Sequence, residues 1–134
     1  MPPKKKNGFK ETAKAAEQGN TEAQYELGRM YFLGRDVAKN ATEAEKWYQK
    51  AANQGNAKAQ NELGNLYYTG LNVTRNYSEA IKWYQKAAEQ GIASAQYKLG
   101  YMYDYGQGIS QNRVEAAKWY IWRSFKRARS SIIK

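Results

Sequence analysis

Residues 57–91 read AKAQNELGNLYYTGLNVTRNYSEAIKWYQKAAEQG, and the same frame recurs 36 residues upstream and 36 residues downstream. Gly19, Gly55 and Gly91 mark the period, each preceded by Gln. Ala23-Gln24, Leu27-Gly28, Tyr31 and Gly34 return as Ala59-Gln60, Leu63-Gly64, Tyr67 and Gly70, then as Ala95-Gln96, Leu99-Gly100, Tyr103 and Gly106. Trp47-Tyr48, Trp83-Tyr84 and Trp119-Tyr120 complete the pattern. Blocks 20–55, 56–91 and 92–127 align without a gap. A period of roughly 20–50 residues marks stacked supersecondary units, each burying its apolar face on its neighbours. Such arrays work by presenting a surface.

Each block reads as two helices. With Ala23 at zero on a wheel of about 100° per residue, Leu27, Tyr31 and Met30 fall within one arc between roughly 340° and 80°. Gly28 sits beside that arc, where a missing side chain lets a neighbouring backbone approach closely. The second helix gathers Ala44, Trp47, Tyr48, Ala51 and Ala52 in the same way, so both helices are amphipathic. Asn40, Asn76 and Asn112 precede Glu43, Glu79 and Glu115 by three positions. That spacing predicts an N-cap whose Glu reaches back to the cap amide. Gly55 and Gly91 predict left-handed helix stops. The linkers from Gly34, Gly70 and Gly106 each place one aliphatic residue, Val37, Val73 or Ile109, as a hydrophobic peg.

Composition removes whole classes of chemistry. The chain has 134 residues, no Cys and no His. Disulfides, thiolate metal sites, a histidine base and a histidine ligand are therefore excluded. No metal or cofactor is expected, and no catalytic residue is assigned. The 12 Tyr and 4 Trp are enough to fill a helical core. No apolar run approaches the roughly 18 residues of a membrane span. The basic start at Lys4-Lys5-Lys6 leads into no apolar stretch, so it does not read as a signal peptide and the expected compartment is the cytoplasm. The net charge of +10 lies at the ends: residues 11–117 hold equal numbers of acidic and basic side chains. The balanced repeats argue against nucleic acid as the main partner.

The ends depart from the pattern. Lys14-Ala15-Ala16-Glu17-Gln18-Gly19 matches the end of a second helix, but Glu11-Thr12 stand where Trp-Tyr belongs. That is half a repeat, a cap or the remnant of a truncation. The expected organisation is a basic tail over 1–10, an array over 11–127 (half repeat 11–19, repeats 20–55, 56–91 and 92–127), and a basic end of a capping helix over 128–134.

The signature Ala57-Lys58-Ala59-Gln60, Leu63-Gly64, Tyr67, Gly70, Val73, Ala80, Trp83-Tyr84 and Lys86-Ala87-Ala88-Glu89-Gln90-Gly91 resembles the Sel1-like repeat family, a relative of tetratricopeptide repeats. The resemblance covers roughly residues 8–124. It implies an all-α fold, a right-handed superhelical solenoid of antiparallel helix pairs, and a role as an adaptor that gathers other proteins. A cysteine-rich branch is described as binding or cleaving β-lactams, but every cysteine of that branch is missing here.

In the family the first helices line the concave face. The wheel points Tyr25, Arg29 and Phe32 away from the apolar arc, with Asn61, Asn65 and Tyr68, then Tyr97, Tyr101 and Asp104, as their equivalents. Six of the nine are aromatic or Arg, types enriched at binding hot spots, and they differ between repeats. The functional reading is a groove for a protein or peptide; the plainer one is contact with adjacent repeats or with solvent. From Trp119 onward a basic amphipathic helix carries Ile121, Arg123, Phe125, Lys126 and Arg127. It either docks on a partner or an anionic membrane surface, or folds its apolar stripe over the last repeat as a cap. The Lys4–Lys6 cluster is a solvated tail or a phosphate-binding arm. The expected protein is a non-enzymatic monomeric scaffold; the alternatives are tethering through the basic ends and a β-lactam-type hydrolase.

Overall fold

The computed structural model describes residues 4–122. Six helices follow one another: α1 (Lys4–Glu17), α2 (Thr21–Leu33), α3 (Ala41–Asn53), α4 (Ala57–Thr69), α5 (Tyr77–Glu89) and α6 (Ala93–Tyr105). Residues 113–122 are the described part of a seventh, α7. No strand occurs among the described residues. The chain divides into two compact units, one ending at Leu63 and the other beginning at Gly64, inside α4.

Local chemistry explains where the helices start and stop. Asn40, Asn76 and Asn112 accept the amides of Glu43, Glu79 and Glu115 at 3.0, 3.1 and 2.9 Å. The back-reaching glutamate does not form its half of the box. The cap amides of Asn40, Asn76 and Asn112 donate instead to the carbonyls of Tyr31, Tyr67 and Tyr103. The glutamates are left to pair with Lys46, Lys82 and Lys118 one turn on. Asn20 and Asn56 also cap first helices, a role the sequence reading missed. Gly55 and Gly91 adopt φ of +95° and +96°. Beyond them the chain turns back, with the Asn56 amide on the Ala51 carbonyl at 3.1 Å, as the Schellman arrangement requires.

In the first unit Ala16, Leu27, Met30 and Trp47 form a buried cluster, with Phe9, Ala13, Tyr31 and Val37 packed against it. Val37 is thus a peg, as its spacing suggests. Phe9 meets Tyr31 edge to face at 5.8 Å. This contact gives residues ahead of the half repeat a place in the core. α1 accordingly begins at Lys4, within the stretch read as a basic tail over residues 1–10. In the second unit Ala80, Tyr84, Ala87, Ala88, Ala95, Leu99 and Met102 are buried together. Trp47, Tyr48, Trp83 and Tyr84 are all buried. The indole of Trp47 donates to Glu43 at 3.2 Å, whereas the buried Nε1 atoms of Trp83 and Trp119 have no hydrogen-bond partner among the described residues. Packing therefore keeps those two indoles in place.

Two polar or backbone devices recur within the units. Gln24, Gln60 and Gln96 are buried, and each Nε2 donates to the carbonyl of Ala16, Ala52 or Ala88 at 3.0–3.2 Å. Each amide thus ties the end of one helix to the start of the next. The second device is a glycine notch. A Cβ on Gly28 would lie 2.7 Å from the Tyr48 ring, on Gly64 2.6 Å from Tyr84, and on Gly100 2.8 Å from Tyr120. The nearest neighbour is a tyrosine ring, and the backbone anticipated from sequence comes close as well, the Ala44 and Ala116 carbonyls standing 3.3 Å from a Cβ on Gly28 and Gly100.

Gly64→Ala should therefore cost about 1–3 kcal/mol, since the ring has no space to yield. Gly8→Ala, in α1 with open space around it, should be neutral or stabilising by up to about 1 kcal/mol. Chemical denaturation of both variants checks the pair. Gln96→Met should cost about 1–3 kcal/mol in the same assay, because it leaves the Ala88 carbonyl without its donor.

Candidate protein-binding surface

The second unit carries a continuous tyrosine face. Tyr97, Tyr101 and Tyr105 are spaced by four residues on α6, so they share one side of the helix. Their rings follow one another at 6.3 and 4.6 Å. Tyr120 on α7 approaches Tyr97 at 6.0 Å. Tyr68, from the end of α4, stacks near Tyr77 at 5.2 Å and donates its hydroxyl to Gln107 Oε1 at 2.9 Å. The ammonium of Lys98 lies 4.3 Å from the Tyr68 ring centre and 5.8 Å from that of Tyr101. It joins the two parts of the face. Tyr97 is 46% and Tyr105 63% exposed, too open for core residues of this size.

Of the nine residues expected on the binding face, Tyr68, Tyr97 and Tyr101 are brought together here. Asp104 is half-buried beside them and lies 3.7 Å from Arg113 Nε. Asn65 is not a free surface group: its Oδ1 accepts the Tyr84 hydroxyl at 2.6 Å, so it serves the glycine notch. Asn61 is half-buried in the first unit.

Tyr25 corrects the wheel most clearly. It was expected clear of the core but is only 6% exposed. Its ring lies between the Arg29 guanidinium at 6.0 Å and the Lys58 ammonium at 5.9 Å, and 6.0 Å from the Tyr48 ring. Phe32 also packs on Tyr48, at 6.5 Å. The first unit uses these aromatics internally. The second displays them.

Two members of the face went unread. Tyr105, immediately before Gly106, was not singled out. Lys98 occupies the repeat position of Glu26 and Glu62, and that reversal of charge was the available signal. Ile121 is exposed. Arg123, Phe125, Lys126 and Arg127 lie outside the described residues, as does most of the basic docking helix. Among the described residues no cluster of acidic side chains has the makings of a metal site, and no helix is long and apolar enough to cross a membrane.

Comparison with known proteins agrees with this architecture. The Sel1 repeat model matches residues 21–56, 57–92 and 93–121, and the chain belongs to the Sel1 repeat family. A Sel1 repeat protein from Oxalobacter formigenes superposes with a TM-score of 0.84 at 40% identity, over 90% of this chain and 49% of that one. A protective antigen present in uropathogenic Escherichia coli strains, displaying an SLR fold, superposes with 0.85 at 37% identity, over 89% of this chain and 26% of that one. The Helicobacter pylori cysteine rich protein B shares the fold alone, at 22% identity with a TM-score of 0.67. The chain thus spans about half of the first relative and about a quarter of the second. No curated protein matches it in sequence. The fold is an all-α tandem-repeat solenoid, a scaffold architecture that is generally non-catalytic and consistent with protein interaction.

Two phenols of this face, Tyr101 and Tyr120, are pushed up from their ordinary value. Desolvation, and then the neighbouring phenols, raises the Tyr101 hydroxyl above its ordinary value. Desolvation and then Asp104 raise that of Tyr120. Burial and then Glu62 raise both Tyr25 and Tyr48 in the first unit. A folded value above the unfolded value of about 10 means the native state holds its protons longer. The resulting stability is complete below about pH 10 and is lost as pH rises through the folded values. Denaturation midpoints should therefore hold steady to about pH 9 and fall beyond about 10, and Tyr48→Phe should flatten that decline.

Proposed function

We propose that this chain is a non-enzymatic scaffold that binds another protein or peptide, and that the first helices supply the contact surface, as in the concave face of Sel1 repeats. The observation carrying this reading is the open tyrosine face of α6. Tyr97 and Tyr105 expose large rings, whereas Trp83 and Tyr84 of the same unit are buried and Tyr67, Tyr68, Tyr77, Tyr103 and Trp119 pack against its core. Leaving such rings in water gains the fold nothing, while rigid aromatics on a fixed helix give contact area at small entropic cost. Ring-to-ring contacts along Tyr97, Tyr101 and Tyr105 restrict them before a partner arrives. Core positions such as Leu27, Leu63 and Leu99 or Ala44, Ala80 and Ala116 stay constant, whereas this face differs between repeats. Variation on an invariant frame is what selection for one partner would leave.

Affinity capture from extracts of the source cells, with wild type beside a Tyr97→Ala/Tyr101→Ala variant, tests the reading. Removing two hot-spot rings should weaken a specific partner by about 2 kcal/mol or more, so the variant should lose it while retaining helical content. Equal capture of the same proteins by both would place the binding surface elsewhere.

A further inference from the structure

Lys98 is the one charged side chain that sits among the rings of this face rather than at its edge. It is half-buried, with its ammonium over Tyr68 and Tyr101. Among the described residues it forms no ion pair with a carboxylate. The nearby acid on the same helix, Asp104, faces Arg113 at 3.7 Å. Glu79 and Glu115 in the same unit pair with Lys82 and Lys118. A second cation, the Arg75 guanidinium, lies 5.1 Å from the centre of Tyr77, itself in contact with Tyr68. The face is thus aromatic and positive, with its own carboxylates engaged elsewhere.

The repeat frame makes this more than a chance surface lysine. The same position holds Glu26 in the first repeat and Glu62 in the second. Glu26 lies 3.9 Å from Arg35 in the ordinary manner of a surface pair. Only in the third repeat is the sign reversed, and there the neighbouring outward positions have become Tyr97 and Tyr101 in place of Asn61 and Asn65. The Tyr101 hydroxyl can donate to an anion, while the Tyr68 ring, its own hydroxyl engaged with Gln107, supplies a face on which the Lys98 ammonium rests. We propose that Lys98, with Tyr68 and Tyr101, receives a carboxylate side chain of the bound partner, so that the α6 face takes an acidic peptide segment. This rests on the protein-binding reading above and adds the chemistry of the partner. Complementary charge at such a site sets which partners are admitted and how fast they associate.

Selection of displayed dodecapeptides, flanked by neutral linkers, against the immobilised full chain separates the two levels. The proposal expects the binders to be rich in Asp and Glu relative to the starting library. It also expects Lys98→Glu to weaken them by about tenfold or more and Lys98→Arg to restore binding. Lys98→Gln, which keeps the stem on the rings without charge, should also weaken them, and it decides the matter where Lys98→Glu melts at lower temperature. Peptides that depend on Tyr97 and Tyr101 but are not acidic, and bind all Lys98 variants equally, would overturn the carboxylate site and leave the binding face standing. A selection in which no binder depends on Tyr97 and Tyr101 would overturn both.

Discussion

A tyrosine ring resting on a bare stretch of helix is the contact on which this structure depends. Gly28, Gly64 and Gly100 stand in mid-helix, where glycine costs roughly 0.5–1 kcal/mol relative to alanine. The offset is the approach of Tyr48, Tyr84 and Tyr120 to distances no side chain would allow. Tyr48 and Tyr84 are buried almost completely as a result. In the second repeat the seated ring is also fixed by its hydroxyl, which donates to Asn65, the residue next to Gly64. A large ring seated closely against the helix, combined with a satisfied phenol, makes a strong and directional junction. The buried glutamines act at the other end of the helix pair. Each fastens the close of a second helix to the opening of the next first helix, converting one helix pair into a repeat.

Because these junctions use few positions, the remaining surface of the first helices is free to change. In α2 the outward residues fold back on Tyr48, and Tyr25 is enclosed by cations of its own unit. In α6 the corresponding residues run outward as a row of phenols, joined through Lys98 to Tyr68 of the preceding first helix. One frame thus yields a closed face in one unit and an open one in the other. The difference lies in a handful of residues, chiefly Arg29 against Tyr101 and Glu62 against Lys98. A binding site on a repeat protein needs no new fold, only a few unlike residues at fixed places.

Much of this could be read from the sequence because it is local or periodic. The caps at Asn40, Asn76 and Asn112, the left-handed stops at Gly55 and Gly91, and the burial of the first two Trp-Tyr pairs follow from spacing alone. What could not be read depends on a third body. A helical wheel gives the bearing of Tyr25 but not the Lys58 stem arriving from α4 to cover it. Glu43 has the right spacing to return to the Asn40 amide, yet the Tyr31 carbonyl has already taken that amide from outside the helix. Gln60 looks like a surface residue by type and is buried because a carbonyl end needs its donor. Phe9 extends α1 into a stretch whose lysines suggested a tail, since one edge-to-face contact with Tyr31 outweighs the local charge. Within the candidate site, the tyrosine spacing was visible and so was the change of sign from Glu26 and Glu62 to Lys98, but its meaning was not, because only the structure places that ammonium over Tyr68 and Tyr101.

The central claim is that a ring sits directly against each of these three glycines, and proton NMR reports that contact without any substitution. Nuclear Overhauser effects should connect the α protons of Gly28, Gly64 and Gly100 to the ring protons of Tyr48, Tyr84 and Tyr120 respectively, with those α protons shifted upfield by the ring current. If the three glycines show ordinary helical shifts and no contact with a tyrosine ring, the helix pairs are closed by something else and the account fails.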